Sequence, residues 1–597
     1  MNEILSAISK VVWGPFVLIP LLLGTGVYMT FRLGGIQFAR TGAALHLGLI
    51  RRQDDGASGD VSQYRALATA MAATIGTGNI AGVATAIALG GPGAIFWMWV
   101  SGVFGMALKY SESFLAVRFR TVDEHGHRNG GPQYYLTKGL KGRYLGPIGV
   151  VLAWAFTLFT ILASFGIGNM VQANSMSEAM NDTFSIPTWV TGLVVSLVTL
   201  AVLIGGIKSI SSYAARIVPV MIVVFIIAQV WVLAAFVTEI PAAVATILSD
   251  AFTGTAAAGG FLGATVIAAI QFGLARGLFS NESGMGSAAI AAGAAQTSHP
   301  VRQGLVSMTQ TFIDTIILVT LTALVIVVSG AYEKVDDAGA ALTGVRLTTD
   351  AFNQGLPGST VGGYVVSFCL LLFALTTLWG WSYYGERAIE RAVGTRAVLP
   401  FRLVWVVMAF VGSTIPLEIV WTFADIMNGF MVIPNLIGIL ILSGLVARET
   451  KKYLSFDPKL AATQQQIDEH FLDDPGYREW RNNERAMDGE PPLSDPPGSP
   501  GGAASSSVGL LEKQAAPARV DDTPQGGTGA AGALPILSLV FSVLGLGLVG
   551  VVLGHVALGR IGAQNDQRGR GPAIAGLVLG YLGLAVLTIW IVALLMA

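Results

Sequence analysis

Gly76-Thr77-Gly78-Asn79 stands in the middle of TAMAATIGTGNIAGVATAIALG, Thr69 to Gly90, a stretch long and apolar enough to cross a bilayer. Glycine costs about 1 kcal/mol relative to alanine inside a helix. An unwound turn in hydrocarbon also leaves backbone groups unpaired, so it persists only where protein, water or a ligand satisfies them. The chemistry on offer is ion binding without charged side chains. Amides around Thr77, Gly78, Asn79 and Ile80 open a second half-helix and present N–H groups and a positive dipole end to an anion. Carbonyls closing the first half, at Ala72 and Ile75, face a cation. The competing explanation is that the glycines only let helices pack closely.

The rest of the chain bears on that choice. It has 597 residues, 53% hydrophobic and 12% charged, where a soluble domain averages about 25% charged. Thirteen long apolar segments account for the deficit and make this an all-α polytopic membrane protein. A net charge of -1 argues against a nucleic-acid partner. The single cysteine, Cys369, forms no intrachain disulfide. No cleavage site follows the first apolar stretch, so that helix is expected to stay.

Apolar runs and breakers place spans at 11–31, 66–89, 93–117, 147–171, 187–207, 214–238, 261–293, 304–329, 362–385, 400–416, 419–445, 534–558 and 572–596. Alternate loops collect Arg and Lys: 32–65, 118–146, the 207–214 turn, Arg302, 386–402 and 448–452. The positive-inside rule then puts those loops in the cytoplasm and the N-terminus outside, in a bacterial plasma membrane. Five spans from 66 to 238 are followed by five from 261 to 445, so the second set enters from the opposite side. An inverted repeat demands a matching break in its first span. Gln271 to Gly277 and Asn281 to Gly286 supply it, and two interrupted helices in corresponding positions are the best sequence pointer to a transport site.

The motifs now form a pattern. GTGNIAG (76–82) leads into GGPGAIFWMW (90–99). Then come GGPQYY (130–135), GNMVQAN (168–174), FSNE (279–282) and GWSYYGE (380–386). Over roughly residues 5–450 this resembles the alanine/glycine:cation symporter family. The resemblance implies a LeuT-type five-plus-five inverted repeat behind one extra N-terminal helix, with alanine or glycine as substrate and sodium as coupling ion. No organic cofactor is implied.

A small zwitterion needs anion donors, amine acceptors and a cavity closed by bulk. Thr77, Gly78, Asn79 and Ile80 are the donors. Asn169 and Gln172, three apart on one helix face, are candidates for the amine, with carbonyls at the second break, Gly277 among them. Either residue is alternatively interhelical glue. Phe272 and Trp381 supply bulk. Phe373, Thr377 and Trp381 are spaced by four and share a face, which is also the spacing of an ordinary aromatic stripe; the resemblance implies Thr377 and Trp381 near the substrate. A hard cation wants about five or six oxygens. Ala72, Ile75, Phe373, Thr376 and Thr377 provide them, at what by analogy is the sodium site shared by LeuT-type folds. A proton-coupled carrier would want a carboxylate at the break, and the sequence places none near Gly76.

Other charged groups fall inside spans. Lys109 and Glu112 read as a structural pair. Arg276 and Glu282 flank the second break, as a gate pair or an anchor. Asp314 and Asp425 are functional candidates by default, and Asp314 is a candidate for a second cation site.

The organisation expected is a helix and loop at 1–60, a transporter core at 61–447, a linker at 448–533 and a two-helix membrane domain at 534–597. Pro- and Gly-rich composition makes the linker disordered apart from a short helix around 459–486. The last domain resembles a small two-helix membrane domain of unknown function. Its Arg560, Arg568 and Arg570 fit the positive-inside rule poorly. The function expected is sodium-coupled symport of a small neutral amino acid. An amino-acid sensor and a proton-coupled carrier are the alternatives. No constellation with catalytic spacing supports an enzyme.

Overall fold

The computed structural model describes residues 17–493 apart from 55–56, 142–144, 254–265, 337–338 and 416–417, together with Ser9 and residues 12–14. The spans expected at 534–558 and 572–596, and the linker from 494 onward, lie outside the described residues. Contacts divide the chain into Met1–Pro496 and Pro497–Ala597; the elements below belong to the first unit.

Helix α1 (Leu18–Arg32) turns through Gly34 and Gly35, both at positive φ, into α2 (Ile36–Leu45), which runs on as a π-helical turn to Arg51. The bend is 78°. The segment expected as a loop therefore carries a helix.

Ser62 opens the first repeat, its hydroxyl accepting from the Arg65 amide at 3.3 Å. The interrupted span follows as α3 (Gln63–Thr74) and α4 (Ala81–Gly90). Next come α5 (Ala94–Arg118), the short α6 (Pro132–Leu140), and α7 (Gly146–Phe165), which continues into α8 (Val171–Phe184) through a π-helical bulge at Gly166–Met170. Helices α9 (Thr188–Leu203) and α10 (Gly206–Ala235) complete five spans. A further helix, α11 (Ile240–Thr253), lies where only a loop was expected.

The second repeat opens on α12 (Val266–Asn281) and α13 (Ser287–Gly293), again halves of one span. Helices α14 (Pro300–Thr311) and α15 (Thr320–Val328) join through π-helical residues Phe312–Val319. The connecting loop holds α16 (Gly344–Gly355), whose Thr348 hydroxyl donates to the Ile80 carbonyl at 2.9 Å. Helices α17 (Val361–Val393), α18 (Val398–Thr414) and α19 (Glu418–Phe456) follow. This is the five-plus-five order, each half opening on a broken helix. Among the described residues, six helices are long and apolar enough to cross a membrane unaided, or seven counting α1 with α2. The count falls below the eleven spans expected there because the two broken helices are too short in each half, α9 is short, and α5 carries Lys109 and Glu112.

Four two-residue strands tie the arginine-rich face. β1 (Val61–Ser62) leads directly into α3 and pairs in parallel with β4 (Ala295–Gln296), which follows α13. Between them in sequence, β2 (Thr121–Val122) pairs antiparallel with β3 (Arg128–Asn129).

The chain from 448 to 493 departs from the linker expected there. Helix α19 runs to Phe456, and α20 (Gln464–His470) and α21 (Pro475–Met487) fold against the arginine-rich face. Both have strong local starts. Thr463 and Gln466 form a reciprocal capping box at 2.9 and 3.3 Å. The Asp474 carboxylate accepts from the amides of Gly476 and Tyr477, with Pro475 in the first turn. Tyr477 and Trp480 are buried around His299, which stacks on Tyr453 at 4.1 Å. Glu484 receives Arg120 through two bonds of 2.7 and 2.6 Å, and the same guanidinium donates to the carbonyls of Ser58, Gly293 and Ala295. Their side chains are 0% and 2% exposed. Removing one partner of a buried pair costs about 3–5 kcal/mol, because the other charge is left uncompensated. Glu484→Ala should therefore lower the thermal midpoint in detergent and expose 475–487 to hydrogen exchange. Unchanged exchange there would mean that Tyr477 and Trp480 hold the helix alone.

Candidate substrate and cation site

Helix α3 stops because its next amide is diverted. Gly76 N–H donates to Asn79 Oδ1 at 3.2 Å, although the regular α-helical acceptor would be the Ala72 carbonyl. That carbonyl receives the Thr377 hydroxyl at 3.0 Å instead, with the Ile75 carbonyl 3.4 Å from the same oxygen. Thr77–Asn79 then forms a single 3₁₀ turn, in which the Asn79 and Ile80 amides donate to the Gly76 and Thr77 carbonyls at 3.3 Å. Of the four expected anion donors, these two are thus engaged within the turn. Thr77 N–H reaches Gln172 Oε1 at 3.3 Å, and the Thr77 hydroxyl is buried without a partner among the described residues. The Gly78 amide, second in the turn, is left for an external acceptor, and the Thr77 amide joins it only by exchanging Gln172 Oε1 for that acceptor. A Cβ on Gly76 would come 2.5 Å from Thr377 Oγ1 and 3.1 Å from Gln172 Oε1. Glycine is what lets α8, α17 and the break meet.

Three of the expected cation oxygens converge: Ala72 O, Ile75 O and Thr377 Oγ. Thr376 instead donates to the Phe373 and Leu372 carbonyls of its own helix at 3.0 Å and lies beside Met221 of α10. Adjacent helical residues point about 100° apart, so turning Thr377 toward α3 turns Thr376 away.

The second break is shorter than the sequence suggested. Residues 271–277 lie within continuous α12, and the chain unwinds only over 282–286, with positive φ at Glu282, Gly284 and Gly286. Gly277 is a packing glycine: a Cβ there would overlap the Ser101 hydroxyl of α5. Its carbonyl is not part of the unwound segment. Phe272 stands two turns before Phe279, about 10 Å along the axis. Phe279 is the ring at the first break, its Cδ1 3.1 Å from where a Gly78 Cβ would lie. It stacks on Trp421 at 5.4 Å, and Arg276 covers both rings and pairs with Asp425. Arg276 and Glu282, expected as a gate pair or an anchor, do not pair with each other: Arg276 pairs with Asp425, and Glu282 accepts from Trp381 and Ser287. Spacing alone hinted at Phe279, seven residues after Phe272 and so on nearly the same face.

The bulge between α7 and α8 separates the two expected amine acceptors. Gln172 Nε2 donates back to the Ile167 carbonyl at 2.9 Å, which aims Oε1 at the break. Asn169 turns the other way and donates to the Trp405 carbonyl of α18 at 2.8 Å, so it is glue between helices. Trp381 is fully buried against Gly168, and its indole N–H donates to Glu282 Oε1 at 2.7 Å. Lys109 pairs with Glu112 at 3.3 Å, as expected, and also donates to the Glu282 carbonyl. Glu112 accepts from the Gly286 amide and from Asn435, so the pair clamps the second break.

The sequence placed no carboxylate near Gly76, and Asp314 overturns that. It accepts from Asn79 Nδ2 at 2.7 Å, from Ser280 at 2.9 and 3.1 Å and from Thr315 at 3.0 Å, all neutral donors. It lies on the π-helical stretch of the span after the second break, and π-bulges recur at functional sites.

These two broken helices, the Ala72 and Ile75 carbonyls gathered at the Thr377 hydroxyl and the 3₁₀ turn at Thr77–Asn79 lie within a match to the sodium:alanine symporter family profile over residues 1–468. The chain belongs to the sodium:alanine symporter family. The sodium/alanine symporter AgcS of Methanococcus maripaludis is 49% identical over 76% of this chain and 97% of its own length. From Bacillus subtilis, the probable sodium/glutamine symporter GlnT is 38% identical over 76% and 91%, and the putative sodium/proton-dependent alanine carrier YrbD is 34% identical over 77% and 96%. A crystal structure of MhsT in complex with L-phenylalanine aligns over 66% of this chain and 93% of that one, at 12% identity and a TM-score of 0.47. Residues 534–591 match a domain of unknown function, DUF4190. The symporter match ends at 468, so α21 lies beyond it.

Phe279 stands against the break at Gly78, and Trp381 is the bulk expected from the sequence to bound a small substrate side chain. Trp381→Ala should improve competition by leucine and methionine while weakening alanine, one methylene of fit being worth about 1–3 kcal/mol. An unchanged competition series would place the wall elsewhere.

Proposed function

We propose that this symporter takes up alanine or glycine together with sodium, by alternating access, across a bacterial plasma membrane with its N-terminus outside and its arginine-rich face in the cytoplasm. The observation that carries the reading is the Thr377 hydroxyl held between the Ala72 and Ile75 carbonyls, just before the amides of Thr77 and Gly78. Sodium among those oxygens places positive charge beside a carboxylate on those amides. Gln172 Oε1, which accepts from the Thr77 amide in this structure, turns to the ammonium when the carboxylate takes that amide. Phe279 and Trp381 limit the side chain. Substrate and ion leave unchanged, so the residues need only bind, release and exclude water. Uptake of labelled alanine into proteoliposomes should require an inward sodium gradient; equal uptake without one sinks the reading.

A second reading couples alanine to protons, or to a second cation, through Asp314. It is favoured by a carboxylate at the break whose hydrogen bonds all come from neutral groups. Asp314→Asn separates the two: sodium-dependent uptake survives it if Thr377 marks the coupling site, whereas coupling to pH is lost with it if Asp314 does.

A further inference from the structure

Glu282 belongs to none of the roles above, yet its conformation is unusual and its contacts are specific. It is one of four non-glycine residues at positive φ among the described residues, at 54°, and it opens the unwound segment between α12 and α13. Left-handed backbone disfavours a residue with a Cβ. Here it turns the carboxylate away from the helix that precedes it. Oε1 accepts from the Trp381 indole at 2.7 Å, and Oε2 accepts from the Ser287 hydroxyl at 2.6 Å. The Glu282 carbonyl accepts from Lys109 at 3.1 Å. Backbone and both carboxylate oxygens are thereby held, from α5, α13 and α17.

We propose that Glu282 is a positioning residue that sets the size limit of the substrate side chain, by fixing the Trp381 indole over the site; this rests on the amino-acid symport reading above. An indole has one polar atom, and a buried N–H without an acceptor is costly. The acceptor therefore selects the orientation of the ring. On the opposite side, Gly168 in the bulge between α7 and α8 lets the Trp381 Cβ approach the backbone closely. Trp381 stands one turn beyond Thr377 on α17, and Phe279 stands three residues before Glu282 on α12. One carboxylate thus joins the wall contributed by the second repeat's long helix to the chain that carries the ring over Gly78. The wall moves with the unwound segment and is not a property of α17 alone.

The test is competition against labelled alanine by glycine, alanine, valine, leucine and methionine. It uses the full-length protein in wild-type form and as Glu282→Ala, Glu282→Gln, Ser287→Ala, Trp381→Ala and the Glu282→Ala/Trp381→Ala double variant. Glu282→Ala should relax the leucine-to-alanine discrimination by about 10-fold or more, the scale set by one misfitted methylene. Glu282→Gln keeps an oxygen acceptor and should restore wild-type discrimination. The double variant should discriminate like Trp381→Ala alone, since the carboxylate acts through the indole. Ser287→Ala, which loosens the carboxylate without removing it, should shift discrimination the same way by less, and it carries the test if Glu282→Ala does not fold. Three results overturn the proposal: discrimination unchanged in both Glu282→Ala and Ser287→Ala, a double variant whose shifts simply add, or alanine affinity lost in Glu282→Gln at constant discrimination, which would mark direct substrate contact. A wild-type protein without sodium-dependent alanine binding overturns the symport reading itself. Wild-type binding with unaltered selectivity in the variants overturns only the role of Glu282.

Discussion

Gly76→Val will severely weaken alanine binding in a protein that still inserts and purifies as a folded monodisperse species. Its Cβ would stand 2.5 Å from Thr377 Oγ1 and 3.1 Å from Gln172 Oε1, so it pushes on the sodium-facing hydroxyl and the ammonium-facing oxygen at once. The β-branch also stiffens a backbone that must leave and re-enter helix within a few residues. Overpacking of this kind costs about 1–3 kcal/mol, and here it falls on the groups that hold both ligands. We expect alanine affinity to fall by about 100-fold, equivalent to about 3 kcal/mol. Gly82→Ala is the internal control. It lies in α4 beyond the turn, and the atoms nearest its Cβ are 3.9 and 4.0 Å away; alanine there should bind substrate normally. If both variants behave alike, clearance at the break is not what matters.

Thr377→Ala will raise the sodium concentration needed for half-maximal alanine binding far more than Thr376→Ala does. Only the Thr377 hydroxyl reaches the freed carbonyls of Ala72 and Ile75, at 3.0 and 3.4 Å; Thr376 bonds within its own helix. Coupling between two ligands is reciprocal and typically amounts to about 1–3 kcal/mol, or 5–150-fold in affinity. Losing a sodium oxygen should therefore shift the sodium dependence by about 10-fold, with alanine affinity largely recovered at saturating sodium. The measurement is alanine binding across a sodium titration, with choline holding ionic strength constant. A larger effect at Thr376 would put the ion on the Phe373 side of α17. Wild-type affinity that ignores sodium and follows pH would falsify sodium coupling and bring Asp314 forward.

The first break was legible because two glycines and an asparagine inside an apolar stretch contradict a continuous helix locally, and the repeat was legible from loop charge. The second break was misplaced because glycine has two uses that look alike in sequence. Gly277 admits the Ser101 hydroxyl of α5, whereas Gly284 and Gly286 take positive φ in the unwound chain. Only knowledge of the facing helix separates them. Asn169 and Gln172 were expected on one face, and regular helix would have put them there. The bulge at Gly166–Met170 rotates Asn169 onto α18, and nothing local announces an extra residue in a turn. Asp314 is 235 residues from Asn79, so their meeting is a property of packing that no spacing rule reaches. Helices α20 and α21 were more readable than composition alone suggested. Thr463 with Gln466, and Asp474 with Pro475, are helix-start signals, overshadowed by the Pro- and Gly-rich chain that follows.

The clasp on the arginine-rich face has a consequence for the order in which the molecule is made. Asp488 accepts from Arg128 and from Ser58, which lies 430 positions earlier, and Glu484 neutralises the Arg120 that binds the chain on either side of β1 and β4. A ribosome adding about 5–20 residues per second needs roughly 20–90 s to travel from the first of these residues to the last. For the last roughly 10–40 s of that interval, once Gln296 has been added, the entry to α3 and the exit from α13 are both synthesised, but Arg120 and Arg128 still await Glu484 and Asp488. The face that must open and close during transport is thus finished last, after every span of both repeats has emerged. Its closure is a late event in biogenesis, carried out by residues beyond the final core helix.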